Sequence, residues 1–172
     1  DRISAGRGQG VVFGDGAQVT YADGALREAR SFGLASGLGD TIELGAGSNA
    51  DGHKVVVGGA GADTLTLSST QGTDESAAGR IERVVAGDNA TLGFDAQGRL
   101  ITMDTPDADI ATAGNDSLTV LISGNDVDRK ADAVFMAGGL GDDRLVVNAS
   151  GKTVTVASGD NLQMTRTSGN YN

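Results

Sequence analysis

Aspartates recur inside short glycine-led turns along the whole chain. Of the 23 acidic residues 19 are Asp, and the formal net charge is −10. Asp prefers turns and carries a short, rigid carboxylate, and such hard oxygens suit divalent cations. The aspartates in or beside these turns include Asp15, Asp40, Asp63, Asp88, Asp116, Asp142, Asp143 and Asp160.

The same residues have a second interpretation that needs no metal. Asp and Asn side chains cap turns by accepting hydrogen bonds from nearby backbone groups. A strongly acidic surface can also serve solubility alone. The sequence leaves both interpretations open beside the cation site.

The turns belong to an internal repeat. The segment 11–17, Val-Val-Phe-Gly-Asp-Gly-Ala, resembles 84–90 and 156–161, and its glycines Gly14, Gly87 and Gly159 lie 73 and 72 residues apart. The segment 58–65 matches 138–145 in the same way. These echoes predict one domain made of two related units, 1–83 and 84–172.

Short alternating strands lie between the turns, and glycine-led turns recur on average about every 24 residues. A strand–turn rhythm of this kind predicts an all-β, right-handed parallel β-solenoid with about 24 residues per coil. An antiparallel β-sandwich is the competing fold. Alternation would direct eight apolar side chains inward: Ile42, Leu44, Leu65, Leu67, Leu118, Val120, Leu145 and Val147.

Two stretches carry a recognisable motif. Residues 58–66 and 138–146 match G-G-x-G-x-D-x-U-x, where U is a large apolar residue, while 37–42 and 114–118 are partial copies. The pattern resembles the calcium-binding repeats-in-toxin (RTX) family. That resemblance implies a parallel β-roll in which Ca²⁺ lies between stacked turns. The implied partners are Asp40 with Asp63, and Asp116 with Asp142 or Asp143, extended by Asp15, Asp88 and Asp160.

The chain departs from the family in one respect. Family repeats run in unbroken tandem and take 18 residues per coil, whereas here a coil would take about 24. Insertions such as residues 48–54 interrupt the run. The geometry of the roll and the number of ions are therefore open.

Composition narrows the functional classes. The chain has no cysteine, which excludes disulfides and cysteine-ligated zinc. Its negative charge disfavours nucleic acid and anionic membranes, and no apolar run is long enough for a membrane-spanning helix. The single histidine, His53, is expected to be an exposed loop residue rather than a catalytic base.

We therefore expect a structural or adhesive segment of a large secreted bacterial surface protein or filament, without enzymatic activity. Its partners would be neighbouring repeats or identical subunits stacked end to end, together with a surface or polysaccharide ligand. Neither end of the sequence reads as a polar cap, which favours such stacking. The alternative function is that of a carbohydrate-binding or carbohydrate-active parallel β-helix.

Overall fold

A computed structural model describes residues 1–6, 10–32, 37–45, 53–70, 81–105, 113–123, 132–150 and 153–166. Over these ranges the chain forms fifteen β-strands in three five-stranded sheets. Within them, no helix is long and apolar enough to cross a membrane.

Two of the sheets are parallel throughout. The outer parallel sheet contains, in spatial order, β1 (Arg2–Ala5), β5 (Thr41–Leu44), β7 (Thr64–Thr70), β11 (Ser117–Ser123) and β13 (Arg144–Ala149). The central parallel sheet contains β2 (Gly10–Phe13), β6 (Lys54–Val57), β8 (Glu82–Ala86), β12 (Asp132–Ala137) and β14 (Thr153–Ser158).

The third sheet, the hairpin sheet, is antiparallel. Its strands, in spatial order, are β3 (Ala17–Ala22), β4 (Ala25–Ser31), β9 (Thr91–Phe94), β10 (Leu100–Asp104) and β15 (Gln163–Thr165). The first hairpin turns through Asp23 and Gly24, both with positive φ (53° and 76°), which is the backbone of a two-residue hairpin turn.

The prediction of a right-handed parallel β-solenoid with about 24 residues per coil is wrong. The chain is all-β, but five of its strands form an antiparallel sheet that no uniform parallel coil contains. A uniform coil would use the segments 21–26 and 94–100 as turns between parallel strands, whereas they are the tips of two β-hairpins. Asp23-Gly24 is the signal of a two-residue hairpin turn, and the five-residue connection 95–99, which contains Gly98, is typical of a longer hairpin loop.

The central sheet is covered on both faces. Val56, Val85 and Val134 pack towards the outer sheet, against Leu65 and its neighbours. Val55 and Phe135 instead pack towards the hairpin sheet, in a second cluster. Strands β6, β8 and β12 are consequently buried at every position, as parallel strands between two layers are.

The order of elements explains the long sequence repeat. We call an outer-sheet strand together with the central-sheet strand that follows it a layer. The layers are β1/β2, β5/β6, β7/β8, β11/β12 and β13/β14. Strands of the hairpin sheet follow the first, third and fifth layers. Because each hairpin contributes two strands for every two layers, the hairpin sheet has as many strands as each of the two parallel sheets. The related glycines about 73 residues apart therefore mark two layers plus a hairpin. Whether the units divide at residue 83 stays a prediction.

Apolar burial is deepest in the inner layers. The six predicted inward residues on β5, β7 and β11 are all buried, with Leu65 1% and Leu118 0% exposed. Leu145 and Val147 on β13 point to the same core but are only half-buried, as is Ile3 on β1. The face of the outer sheet that the alternating pattern predicted to point inward is thus the face that packs against the core.

Candidate functional site

An aspartate stands immediately before each strand of the outer sheet. These residues are Asp1, Asp40, Asp63, Asp116 and Asp143. Their backbones already take part in the parallel pairing, because the N–H groups of Thr64, Ser117 and Arg144 each donate to the carbonyl of the aspartate one layer before, at 2.8 Å. The side chains are thereby stacked in one row at a single edge, which we call the aspartate row.

Except at Asp1, one carboxylate oxygen of each aspartate in the row accepts from a main-chain nitrogen of the adjacent layer. The N–H of Asp40 donates to Asp63 Oδ1 at 2.6 Å, that of Asp63 to Asp116 Oδ1 at 2.7 Å, and that of Asp116 to Asp143 Oδ1 at 2.8 Å. The terminal amine of Asp1 donates to Asp40 Oδ1. These are the contacts of turn capping, made across layers rather than within one turn.

The second carboxylate oxygen faces a glycine at the end of the central sheet. A side chain on Gly58 would overlap both Asp63 Oδ2 and the carbonyl oxygen of Gly87. Gly14 is placed in the same way beside Asp40 Oδ2 and the Gly58 carbonyl. At each such corner two acceptors meet beside a glycine Cα, so the corner excludes any larger residue.

Within the described part of the chain, the Oδ2 atoms of Asp40 and Asp63 are buried without a hydrogen-bond donor. The two residues are only 4% and 1% exposed. Burying a charged oxygen without compensation is costly. The row therefore holds oxygens that a proton or a cation would stabilise.

The pKa of Asp63 reflects this environment. Its pKa is raised from 3.8 to about 7, chiefly by burial and also by the nearby carboxylates of Asp40, Asp15 and Asp88. The hydrogen bond from Asp40 N–H favours the charged form and opposes this rise. Burial also raises the pKa of Asp143, assisted by Asp160 and Asp142. Like charges stacked along one edge favour neutralisation.

The remaining predicted ligands lie around the row. Asp15 Oδ2 accepts from Ala60 N–H at 2.8 Å, and Asp88 Oδ2 accepts from Leu140 N–H at 2.7 Å, so each caps the Gly-Gly turn of the next layer along the chain. Asp142 and Asp160 are exposed. Asp116 pairs with Asp143 rather than with Asp142.

The identity of the residue after each corner glycine correlates with the path of the chain. Gly14-Asp15, Gly87-Asp88 and Gly159-Asp160 lead into the hairpin sheet, whereas Gly58-Gly59 and Gly138-Gly139 lead directly back to the outer sheet. Gly59 and Gly139 have φ of 115° and 114°, a conformation that disfavours Asp.

The chemistry of the row suits a hard cation in part. The corners at Asp40 and Asp63 each offer one carboxylate oxygen and one carbonyl oxygen, both of which Ca²⁺ accepts. Among the described residues, however, no three carboxylate or imidazole side chains are gathered as a metal-binding group. Calcium binding thus stays a prediction, resting on the partnerless oxygens of Asp40 and Asp63.

Sequence reasoning missed a set of charged residues inside the central sheet. Arg83, 0% exposed, forms an ion pair with Asp132 at 3.0 Å. Glu82 accepts from Leu100 N–H at 2.6 Å and pairs with Arg166 at 2.7 Å, which ties β8 to the hairpin sheet. The signal was present, because charges at 82–83 interrupt an otherwise apolar strand.

His53 is half-buried rather than an exposed loop residue. Its Nδ1 accepts from Glu82 N–H at 3.2 Å. Burial lowers the pKa of the ring, and Arg83 adds to that, while Glu82 opposes it. The ring lines a cavity of about 270 Å³ between the central and hairpin sheets.

Comparisons with protein-family models, curated proteins and solved structures find no match to this chain. The resemblance to the RTX family accordingly stays a prediction carried by the motif alone.

Proposed function

We propose that this chain is an extracellular structural and adhesive repeat segment of a large secreted surface protein or filament. It would stack end to end with segments of the same kind, and calcium would stabilise it. Its role is then mechanical and uses no catalytic group. That the chain is not an enzyme stays a prediction, as does its location outside the cell.

The observation that supports stacking is the contrast between inner and end layers. Within the described residues, β1, β2 and β3 are the edge strands at one end, and β13, β14 and β15 at the other. Apolar residues of these strands that face the cores, such as Val12 and Val147, are only half-buried, unlike Leu65 or Leu118. Unpaired edges with apolar residues favour pairing with another strand.

The register of the outer sheet is suited to extension. Every pairing there joins equivalent positions, with Ile3 beside Ile42, Ile42 beside Leu65, Leu65 beside Leu118, and Leu118 beside Leu145. A further strand added in this register would cover Leu145 as Leu145 covers Leu118. Burial of that apolar surface would be worth about 25 cal/mol per Å².

Calcium would act at the aspartate row. The Oδ2 atoms of Asp40 and Asp63, together with the nearby carbonyl oxygens of Gly58 and Gly87, would supply hard ligands. When bound, the ion would neutralise carboxylates that now repel one another. Binding to the folded state alone would raise stability by mass action.

Stacking is tested by placing one charge on an end strand and the same charge on an inner strand. Val154 on β14 is 44% exposed and Leu121 on β11 is 38% exposed, so lysine fits at either position. We expect the isolated segment to form elongated assemblies in light scattering and electron microscopy. Val154→Lys should shorten or abolish them, because edge lysines block strand addition, whereas Leu121→Lys should not. A wild-type segment that stays monomeric at high concentration contradicts self-stacking.

Calcium is tested by thermal unfolding in calcium and in chelator. We expect a higher Tm with calcium, and a smaller rise for Asp63→Ala than for the exposed control Asp142→Ala. A free calcium concentration ten times the Kd would add about 1.4 kcal/mol to the free energy of unfolding. Identical melting curves with calcium and with chelator would rule out the calcium part of the proposal.

A further inference from the structure

The cavity beside His53 lies between the starts of the central strands and the two hairpin tips. Val11 and Val55 line it from the central sheet, Leu26 from the first hairpin, and Phe94 from the second. Val55 and Phe94 are buried, so its floor is apolar. At about 270 Å³ it is slightly smaller than the roughly 300–1,000 Å³ of sites for drug-sized molecules. The space suits one small ring rather than a chain of them.

The mouth of the cavity is held in place by the hairpins. Arg27 Nη1, on the first hairpin, donates to the carbonyl of Asp95 on the second at 2.7 Å. The Asp95 carboxylate accepts from the N–H groups of Gln97 and Arg99, both at 2.9 Å, and so fixes the second tip. A cavity whose walls are already tied together loses less freedom when a ligand enters.

The described polar side chains that line the cavity itself are neutral. Because His53 Nδ1 accepts from Glu82 N–H, the neutral ring carries its proton on Nε2, which makes Nε2 a donor. Tyr21 and Gln97, both exposed, add a hydroxyl and an amide at the rim. None of the described side chains that line the cavity is charged. A charged ligand would find no counter-charge among these lining side chains to offset the hydration that it loses.

We infer that this cavity binds a single neutral sugar ring of a target glycan. A sugar ring presents an apolar C–H face to residues such as Phe94 and Leu26. Its hydroxyl groups both donate and accept, so they can satisfy the His53 Nε2–H and the Gln97 amide together. A purely apolar ring would leave the imidazole donor without an acceptor, which is costly in a partly buried site. This inference rests on the adhesive role proposed above and names the class of its target.

The single histidine makes the experiment direct. The ¹⁵N-labelled segment has only one imidazole, so its ring signals in NMR spectra belong to His53. D-glucose, D-galactose and N-acetyl-D-glucosamine are titrated separately, with sorbitol as an open-chain polyol control and cyclohexanol as an apolar ring. We expect saturable shifts of the His53 ring and the Gln97 side-chain amide with at least one sugar, and none with sorbitol.

Variants test whether the signal comes from the cavity. Val11→Phe should weaken sugar binding at least about tenfold, because the larger side chain occupies the space. Val154→Phe, the same change on an exposed end strand, should leave it unchanged, and both variants are checked for folding by circular dichroism. Where Val11→Phe does not fold, His53→Gln, which keeps an acceptor for Glu82 N–H, replaces it. Since this variant has no imidazole, its sugar binding is read from the Gln97 side-chain amide and should be weakened in the same way.

The outcomes are separable from those of the proposed function. Saturable binding of a sugar that Val11→Phe abolishes supports the inference, whether or not the segment stacks. Shifts with cyclohexanol alone, equal shifts with sorbitol, or no shift overturn it, even if assemblies form and calcium stabilises them.

Discussion

Asp63 in the aspartate row and Asp95 in the second hairpin are both turn aspartates, yet their pKa values move in opposite directions. At Asp63 burial is the largest influence, and it raises the pKa to about 7. At Asp95 burial is again the largest single influence and acts upwards. The backbone and side chain of Arg99 and the N–H of Gln97 together outweigh it and lower the pKa. The charge state of a carboxylate is therefore decided by its burial and its hydrogen-bond donors, and not by its location in a turn, which these two residues share.

The two regions also differ in how their oxygens are used. Asp95 has two backbone donors and an ion pair with Arg99 at 2.7 Å, so both of its oxygens are engaged. Asp63 has one backbone donor, and its other oxygen faces the carbonyl of Gly87. Both carboxylate oxygens of Asp95 thus have donors, whereas Asp63 Oδ2 at the corner has none. This is why we place the proposed cation at the corner.

The largest expected effect comes from the glycines of the two regions. Gly58→Ala puts a methyl group onto Asp63 Oδ2 and the Gly87 carbonyl. We therefore expect it to lower the free energy of unfolding by about 3 kcal/mol or more, the upper end of the range for overpacking. Gly24→Ala meets no atom within 4 Å but must adopt a φ of 76°, which costs about 1–2 kcal/mol. Urea denaturation measures both changes.

Gly10→Ala is the matched control, since it meets no atom within 4 Å and has no positive φ. We expect it to change the free energy of unfolding by less than about 0.5 kcal/mol. If Gly58→Ala proved as mild as Gly10→Ala, the tight corner would be disproved, and with it the contrast between corner and hairpin.

A smaller effect should appear in the pH dependence of stability. The pKa of Asp63 is raised on folding, so the folded state binds its proton more tightly. The contribution of Asp63 to the free energy of unfolding is therefore fully present below about pH 3.8 and is lost as the pH rises through about 7. Asp95 behaves oppositely, because its pKa is lowered: its contribution is present above 3.8 and is lost as pH falls below that value.

Asparagine variants separate the two aspartates. Asp63→Asn retains an acceptor for Asp40 N–H and adds a donor beside the Gly87 carbonyl, so at pH 8 in chelator we expect it to stabilise the fold by at least about 1.4 kcal/mol, the equivalent of one pKa unit. Asp95→Asn should destabilise it at the same pH by weakening the pair with Arg99. Melting curves between pH 4 and about 8 that respond identically to both variants would contradict the opposite shifts.

Features that recur in every layer were visible in the sequence. Alternation placed Leu65 and Leu118 inward. The glycine–aspartate motif implied Asp40 beside Asp63 and Asp116 beside Asp142 or Asp143, and the structure brings Asp40 to Asp63 and Asp116 to Asp143. Such features depend on local spacing and on the identity of one or two residues. They can be recognised because each copy repeats the same physical requirement.

The antiparallel sheet, the buried Arg83–Asp132 pair and the cavity at His53 were decided only by the tertiary structure. The hairpin occurs in every second layer, so a mean turn spacing conceals it, although Asp23-Gly24 carries its local signal. Arg83 and Asp132 are 49 positions apart in the chain, and pair only because β8 and β12 are neighbours. The cavity needs two hairpin tips and two central strands at once. Sequence patterns encode which residues repeat and which face is apolar, whereas the distances between segments remote in the chain arise only when the sheets pack.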